Sequence, residues 1–302
     1  MNATTLYPLT FKPLHKERVW GSESWVLSGL DQDASLIDNG FLAGNTVNEV
    51  LEIYLSDLLG SELYHTSGDE FPLLAKELQV NGFLSVQVHP DDKTAAEMHN
   101  AFGKTEMWYV KDAGPEAKLY LGFNRSMTPA LFYEHCQKNT LPEVMNCITP
   151  KKGECYYIPA GLVHACGGGI TLAEVQQVSD ITYRIYDWGR EHNPATAREM
   201  HVDLAIDCID YSKHIPNPTT TGVLVDSPYF TVTLKEWDNP LEIDGSRQDR
   251  FTLYMVLEGT LSVAYNEQIY TPSEGGCLLI PASLDYWKIV PGPQTKILEI
   301  TR

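Results

Sequence analysis

The chain has 302 residues, 43% of them apolar and 10% aromatic, which is enough for one large or two ordinary globular domains with real cores and argues against disorder. Its net charge of −18 repels polyanions, so nucleic acid and anionic membrane are poor partners and any anionic substrate needs a locally positive pocket. No window reaches the roughly 18 uncharged apolar residues of a membrane span. The start MNATTLYPLTFKPLHKERVW lacks the order of an export signal, and six cysteines without a C-x-x-C pair read as buried or free thiols, so a cytoplasmic location is expected.

In chain order, the first quarter mixes short extended runs with loops. GDEFPLLAKELQ then places Phe71, Leu74 and Leu78 at helical spacing behind Asp69, which predicts a short amphipathic helix. After the Asn81-Gly82 turn signal, FLSVQVH predicts a strand with Phe83, Ser85, Gln87 and His89 on one face and Leu84, Val86 and Val88 on the other. Pro90 ends it, and Asp91 or Asp92 caps a brief helix in DDKTAAEMHNAF. Strands follow at EMWYV and KLYLGF. Residues 128–147 read as one or two helices interrupted at Pro142, and 194–210 as another. From about Thr219 onward only short strand-like runs remain, among them FTVTLKEW, TLYMVL, TLSVAYN, CLLIPAS and TKILEIT.

An internal repeat aligns GECYYIPAGLVHA from Gly153 with GGCLLIPASLDYW from Gly275, and upstream EMWYV from Glu106 with TLYMV from Thr252. The spacing Gly-x5-Pro-x-Gly-x2-His, filled by Gly153, Pro159, Gly161 and His164, resembles the second signature of the cupin superfamily, which implies small β-barrels with metal ligands on the inner face. The expected fold is mainly β, with two cupin-type (jelly-roll) barrels in tandem and a few inserted helices. Residues 1–215 would form the metal-binding domain and 216–302 a degenerate copy, in which Thr252 replaces Glu106 and Tyr286 replaces His164.

The strongest constellation is Gln87, His89, Glu106 and His164, which offers two imidazoles, a carboxylate and an amide oxygen to a divalent ion. Gln87 and His89 stand two apart on one strand face and can converge on one point. His99 reads as a histidine at a helix end, and His65, His135, His192 and His201 as scaffold, because they lack partners at ligand spacing.

FLSVQVHPDD, GKTEMWYV, YYIPAGLVHA and SDITYRIYDWGR, in that order between residues 83 and 190, are similar to the type I mannose-6-phosphate isomerases in their short bacterial form. RVWG at Arg18–Gly21 and FPLLAKEL at Phe71–Leu78 extend the resemblance toward the N-terminus. The resemblance implies one zinc ion on Gln87, His89, Glu106 and His164. It further implies Ser85 in the pocket, roles for Lys104, Glu174 and Asp180, and Arg184 as the active-site arginine. Glu174, Gln176, Asp180, Thr182 and Arg184 also share parity and would line one face if their segment is a continuous strand. Trp20 is either a core aromatic or a wall of the substrate pocket.

The implied activity is interconversion of mannose 6-phosphate and fructose 6-phosphate through an enediol. Glu174 is the first candidate base and Lys104 the second, with Arg184 and Lys104 supplying the positive pocket for the sugar phosphate. Two rivals remain. Two histidines and a carboxylate also suit Fe(II) in a cupin oxygenase, although Gln87 stands where a first histidine would and Glu106 lies 17 residues beyond His89. The other is a non-catalytic sugar-binding cupin.

Overall fold

The computed structural model describes residues 5–302; residues 1–4, part of the N-terminal stretch read above, lie outside them. The described residues are mainly strand, in four sheets with short helices between. Two compact units divide the chain. One comprises the chain up to Leu14, Trp25–Ala75 and Thr221–Arg302, and the other His15–Ser24 and Lys76–Thr220. This differs from a single cut at 215/216 because Leu9–Thr10 pairs with Cys277–Ile280, which places N-terminal residues in the sheet of the C-terminal strands.

Within the second unit, a five-stranded sheet runs in the order Tyr183–Tyr186, Val86–Val88, His164–Gly167, Lys118–Phe123, Met145–Ile148. In another sheet of the same unit, 76–80, Ile170–Gln177, Glu106–Ala113 and Cys155–Ile158 lie side by side. Trp108, Val110, Leu119, Leu121, Ile158, Cys166 and Leu172 share one apolar cluster. Val86, Val88, Val163 and Ala165 point the other way, into a second cluster with Phe132 and Leu141, which belong to the helix Pro129–Gln137 and the 3-10 turn Leu141–Val144. Strand alternation therefore sends Gln87 and His164 to the face opposite those valines.

Several expectations are corrected. Leu73–Val80 is a strand, not a helix: six of its eight residues are buried without a break beyond Glu77 and Gln79, and a strand covered on both faces loses the alternation that would betray it. The first quarter holds helices at Val47–Tyr54, Ser56–Leu59 and Ser61–Ser67. Pro142 opens a 3-10 turn instead of interrupting a helix, and of 194–210 only Val202–Ala205 is α-helical. The expected strand around Gln87 and the helix behind Asp91, Asp92–His99, are present. All six cysteines are free, with Cys155, Cys166 and Cys277 buried.

The loop after Tyr186 is pinned by Asp187, which is fully buried and accepts from Arg190 Nη2 at 2.7 Å and from Arg198 Nε and Nη2 at 3.0 and 2.5 Å. Burial alone would raise its pKa, but the Arg198 and Arg190 guanidiniums prevail and hold it below the ordinary 3.8. A depressed pKa gives stability that is present above the unfolded value and lost as pH falls through the folded one. Asp187→Asn is expected to cost about 3 kcal/mol by denaturant unfolding at neutral pH, and less as the pH drops below 4. An unchanged midpoint would refute this.

Candidate active site

The turn that carries His164 explains its sequence spacing. Gly161 has φ of +86°, which favours glycine, and its N–H donates to the His89 carbonyl at 2.9 Å while Leu162 N–H closes onto the Pro159 carbonyl at 3.1 Å. His164, first residue of its strand, then lies in register with Gln87, and Gln87 in register with Arg184. Gln87, His164 and Arg184 thus form one row across three strands, while Glu106 opens the strand Glu106–Ala113 with Trp108 two residues further along the same face.

His89, Glu106 and His164 form the one cluster of potential metal ligands among the described residues, and all three are buried. His89 Nε2 lies 3.4 Å from Glu106 Oε2 and His164 Nε2 lies 3.2 Å from Oε1. The Nδ1 atoms are each placed against a backbone carbonyl, Ile181 for His89 at 2.9 Å and Leu162 for His164 at 2.8 Å. That contact sets the tautomer, so each Nε2 turns a lone pair toward the carboxylate. Neither Glu106 oxygen has a hydrogen-bond partner, although Lys104 Nζ stands 3.2 Å away as an ion pair. Beside the Lys104 ammonium, a buried carboxylate and two imidazole lone pairs converge within 4.8 Å of one another, a donor set that fits a divalent metal.

Burial pushes the His89 pKa down to about 3, and Lys104 beside it works in the same direction, which keeps the ring neutral as a ligand must be. Burial would raise the Glu106 pKa, yet Lys104 and His89 hold it well below the ordinary carboxylate value. Gln87 Nε2 approaches His164 Nε2 at 3.3 Å and its Oε1 accepts from Ser85 Oγ at 3.4 Å. Exchanging the two ends of the amide would bring the oxygen to the cluster. Lys104 Nζ also lies 3.1 Å from His89 Nε2. Ser85, Gln87, His89, Lys104, Glu106 and His164 therefore meet in one place.

Glu174 reaches the site through its neighbours. It lies opposite Trp108, and Gln176 lies opposite Glu106. Trp108 Nε1 donates to Glu174 Oε2 at 2.7 Å, and the indole packs edge-on to the His164 ring with centroids 5.3 Å apart. Lys76 Nζ binds Glu174 Oε1 at 2.9 Å and Gln176 Oε1 at 2.7 Å, all of them buried. Sequence reasoning passed over Lys76 and Trp108. The available signal for Lys76 was a single cation inside the apolar run FPLLAKEL.

The row expected from Glu174 to Arg184 is not one strand. Ile170–Gln177 and Tyr183–Tyr186 belong to different sheets, and between them Gln176 Nε2 folds the chain by donating to the Gln177 and Ser179 carbonyls at 3.0 and 2.5 Å. Asp180 is exposed in that connection. Trp20 is 5% exposed and packs in the apolar cluster with Trp108. His99 ends its helix and bonds Tyr183 Oη at 2.6 Å.

Comparison with known proteins gives a consistent result. Residues 12–160 match the family described as phosphomannose isomerase type I, catalytic domain. Mannose-6-phosphate isomerase ManA of Bacillus subtilis is 32% identical, over 94% of this chain and 96% of its own length. A mannose-6-phosphate isomerase of Streptococcus mutans is 32% identical over 88% of this chain and 84% of its own. The crystal structure of the mannose 6-phosphate isomerase from Bacillus subtilis superposes with a TM-score of 0.85 at 26% identity, covering 98% of this chain and 99% of that one.

Proposed function

The chain belongs to the type I phosphomannose isomerase family, and from that membership we propose that it interconverts mannose 6-phosphate and fructose 6-phosphate with one zinc ion held by Gln87, His89, Glu106 and His164. The observation that carries the metal is the sealed Glu106 carboxylate between two imidazoles whose Nδ1 atoms are already engaged. Zinc accepts such N and O donors and, when bound, supplies positive charge for the oxygens on C1 and C2 of the open-chain sugar.

The remaining roles fall to the chain's own side chains. Glu174 is the base that moves the proton between C1 and C2. Its two oxygens are held by Lys76 Nζ and by the Trp108 N–H, which fixes the orientation of the carboxylate. Arg184 offers a planar set of N–H donors to developing negative charge or to the phosphate, and Lys104 adds a second cation, with Ser85 beside Gln87 as a further hydroxyl contact. The two cations answer the problem of an anionic substrate on a chain of net charge −18, because short-range attraction inside a cleft outweighs screened surface charge. Lys104 is the alternative base. Six unbridged thiols support the cytoplasmic location expected from the sequence.

Exhaustive chelation is expected to abolish fructose 6-phosphate formation from mannose 6-phosphate in a coupled assay, and about one equivalent of Zn²⁺ per chain to restore it. Full turnover by metal-free protein would sink the metal assignment.

A further inference from the structure

The strand Tyr183–Tyr186 lies at the edge of its sheet, pairing with Val86–Val88 on one side only. An edge residue normally leaves its outward N–H and C=O to water. At Arg184 both are taken by a single residue. Arg184 N–H donates to His201 Nδ1 at 3.1 Å, and the Arg184 carbonyl accepts from His201 N–H at 2.8 Å. The same segment reaches the other end of the arginine, where Nη1 donates to the Glu199 carbonyl at 2.7 Å. Residues 199–201 thus hold Arg184 at its backbone and at its tip, and leave Nε buried without a hydrogen-bond partner.

We propose that His201 is a positioning residue for Arg184, fixing it through the Nδ1 acceptor so that the unsatisfied guanidinium N–H stays aimed at the oxygens of the bound sugar phosphate. The inference rests on the role given to Arg184 above. An accepting Nδ1 requires the neutral ring with its proton on Nε2, the atom that lies 3.8 Å from Glu199 Oε2. Burial and the neighbouring Arg184 charge lower the His201 pKa, which favours that form. The ring also packs against Tyr183, centroids 6.2 Å apart, whose hydroxyl is bonded to His99. A donor held in place before the substrate arrives needs no reorganisation during reaction, and a displacement near 1 Å can cost about 100-fold in rate.

The test compares His201→Phe, which keeps the bulk of the ring but has no acceptor, with His201→Asn, whose Oδ1 can stand in for Nδ1. In the zinc-loaded enzyme His201→Phe is expected to lower kcat by about 10- to 100-fold with KM and metal content little changed, and His201→Asn to recover most of the loss. In an Arg184→Ala background His201→Phe is expected to cost nothing further, because its effect passes through the arginine. Wild-type kcat in His201→Phe, equal impairment of both variants, or an undiminished cost in the Arg184→Ala background overturns the proposal. Wild-type turnover in Arg184→Ala alone overturns the role of Arg184 itself, whereas an impaired Arg184→Ala beside an unimpaired His201→Phe overturns only the positioning role.

Discussion

Arg184→Ala is expected to lower mannose 6-phosphate turnover by about 10²- to 10⁴-fold while zinc content stays near that of the wild type. The separation follows from placement. Arg184 stands in register with Gln87, one strand removed from His164, yet its hydrogen bonds go to the His201 and Glu199 segment and not to the ligand cluster. Burial and the neighbouring Arg198 pull its pKa below the ordinary value, but a guanidinium stays charged at any pH the enzyme meets. In the proposed role, removing it deletes a cation that developing negative charge would need, and leaves the imidazoles and Glu106 untouched. Arg184→Lys keeps the charge and loses the fork, so it is expected to fall between alanine and wild type. A coupled assay beside elemental analysis measures both quantities, and wild-type turnover in Arg184→Ala would refute the assignment.

His164→Ala has the opposite signature: metal and activity are expected to disappear together. Losing an outer partner of a ligand typically weakens metal binding about 10- to 100-fold, and losing a ligand costs more. Here the removal also strips Glu106 Oε1 of the ring 3.2 Å away, in a place the solvent does not reach. His164→Gln, closer to the original volume, serves as a second variant should alanine destabilise the sheet. Full zinc occupancy in a folded His164 variant would show that the cation sits elsewhere.

The candidate ligand cluster was legible in the sequence because the cues for Gln87, His89 and His164 are local. Alternation along FLSVQVH sends Gln87 and His89 to one face, and the Pro159 to Gly161 turn delivers His164 at a fixed distance from Gly153. What stayed hidden depends on pairing between distant segments. Nothing near Lys76 announces that its strand will lie beside Ile170–Gln177, and nothing near Trp108 announces that Glu174 will stand opposite. The helix expected at 69–79 failed because Leu, Ala, Lys and Glu favour helices locally, while burial in the middle of a sheet overrides that preference. Arg184 was reached by resemblance and by a parity argument whose strand ends at Gln177. His201 was read as scaffold, since its partner is a backbone N–H seventeen residues away that ligand spacing does not reveal. The helix Val47–Tyr54 is a different case: Thr46 and Glu49 form a capping box, a cue present in the sequence and overlooked.

The repeat extends below the level of side chains. Glu106 stands opposite Ile158 and Gln176, and in the other unit Thr252 stands opposite Ile280 and Thr301; Tyr286 opens its strand as His164 opens its own. Backbone pairing is indifferent to which side chain occupies a rung, so two strand ladders can share matching pairings while only one of them carries potential metal ligands. Likeness between such segments is better sought in matched rungs than in shared ligands.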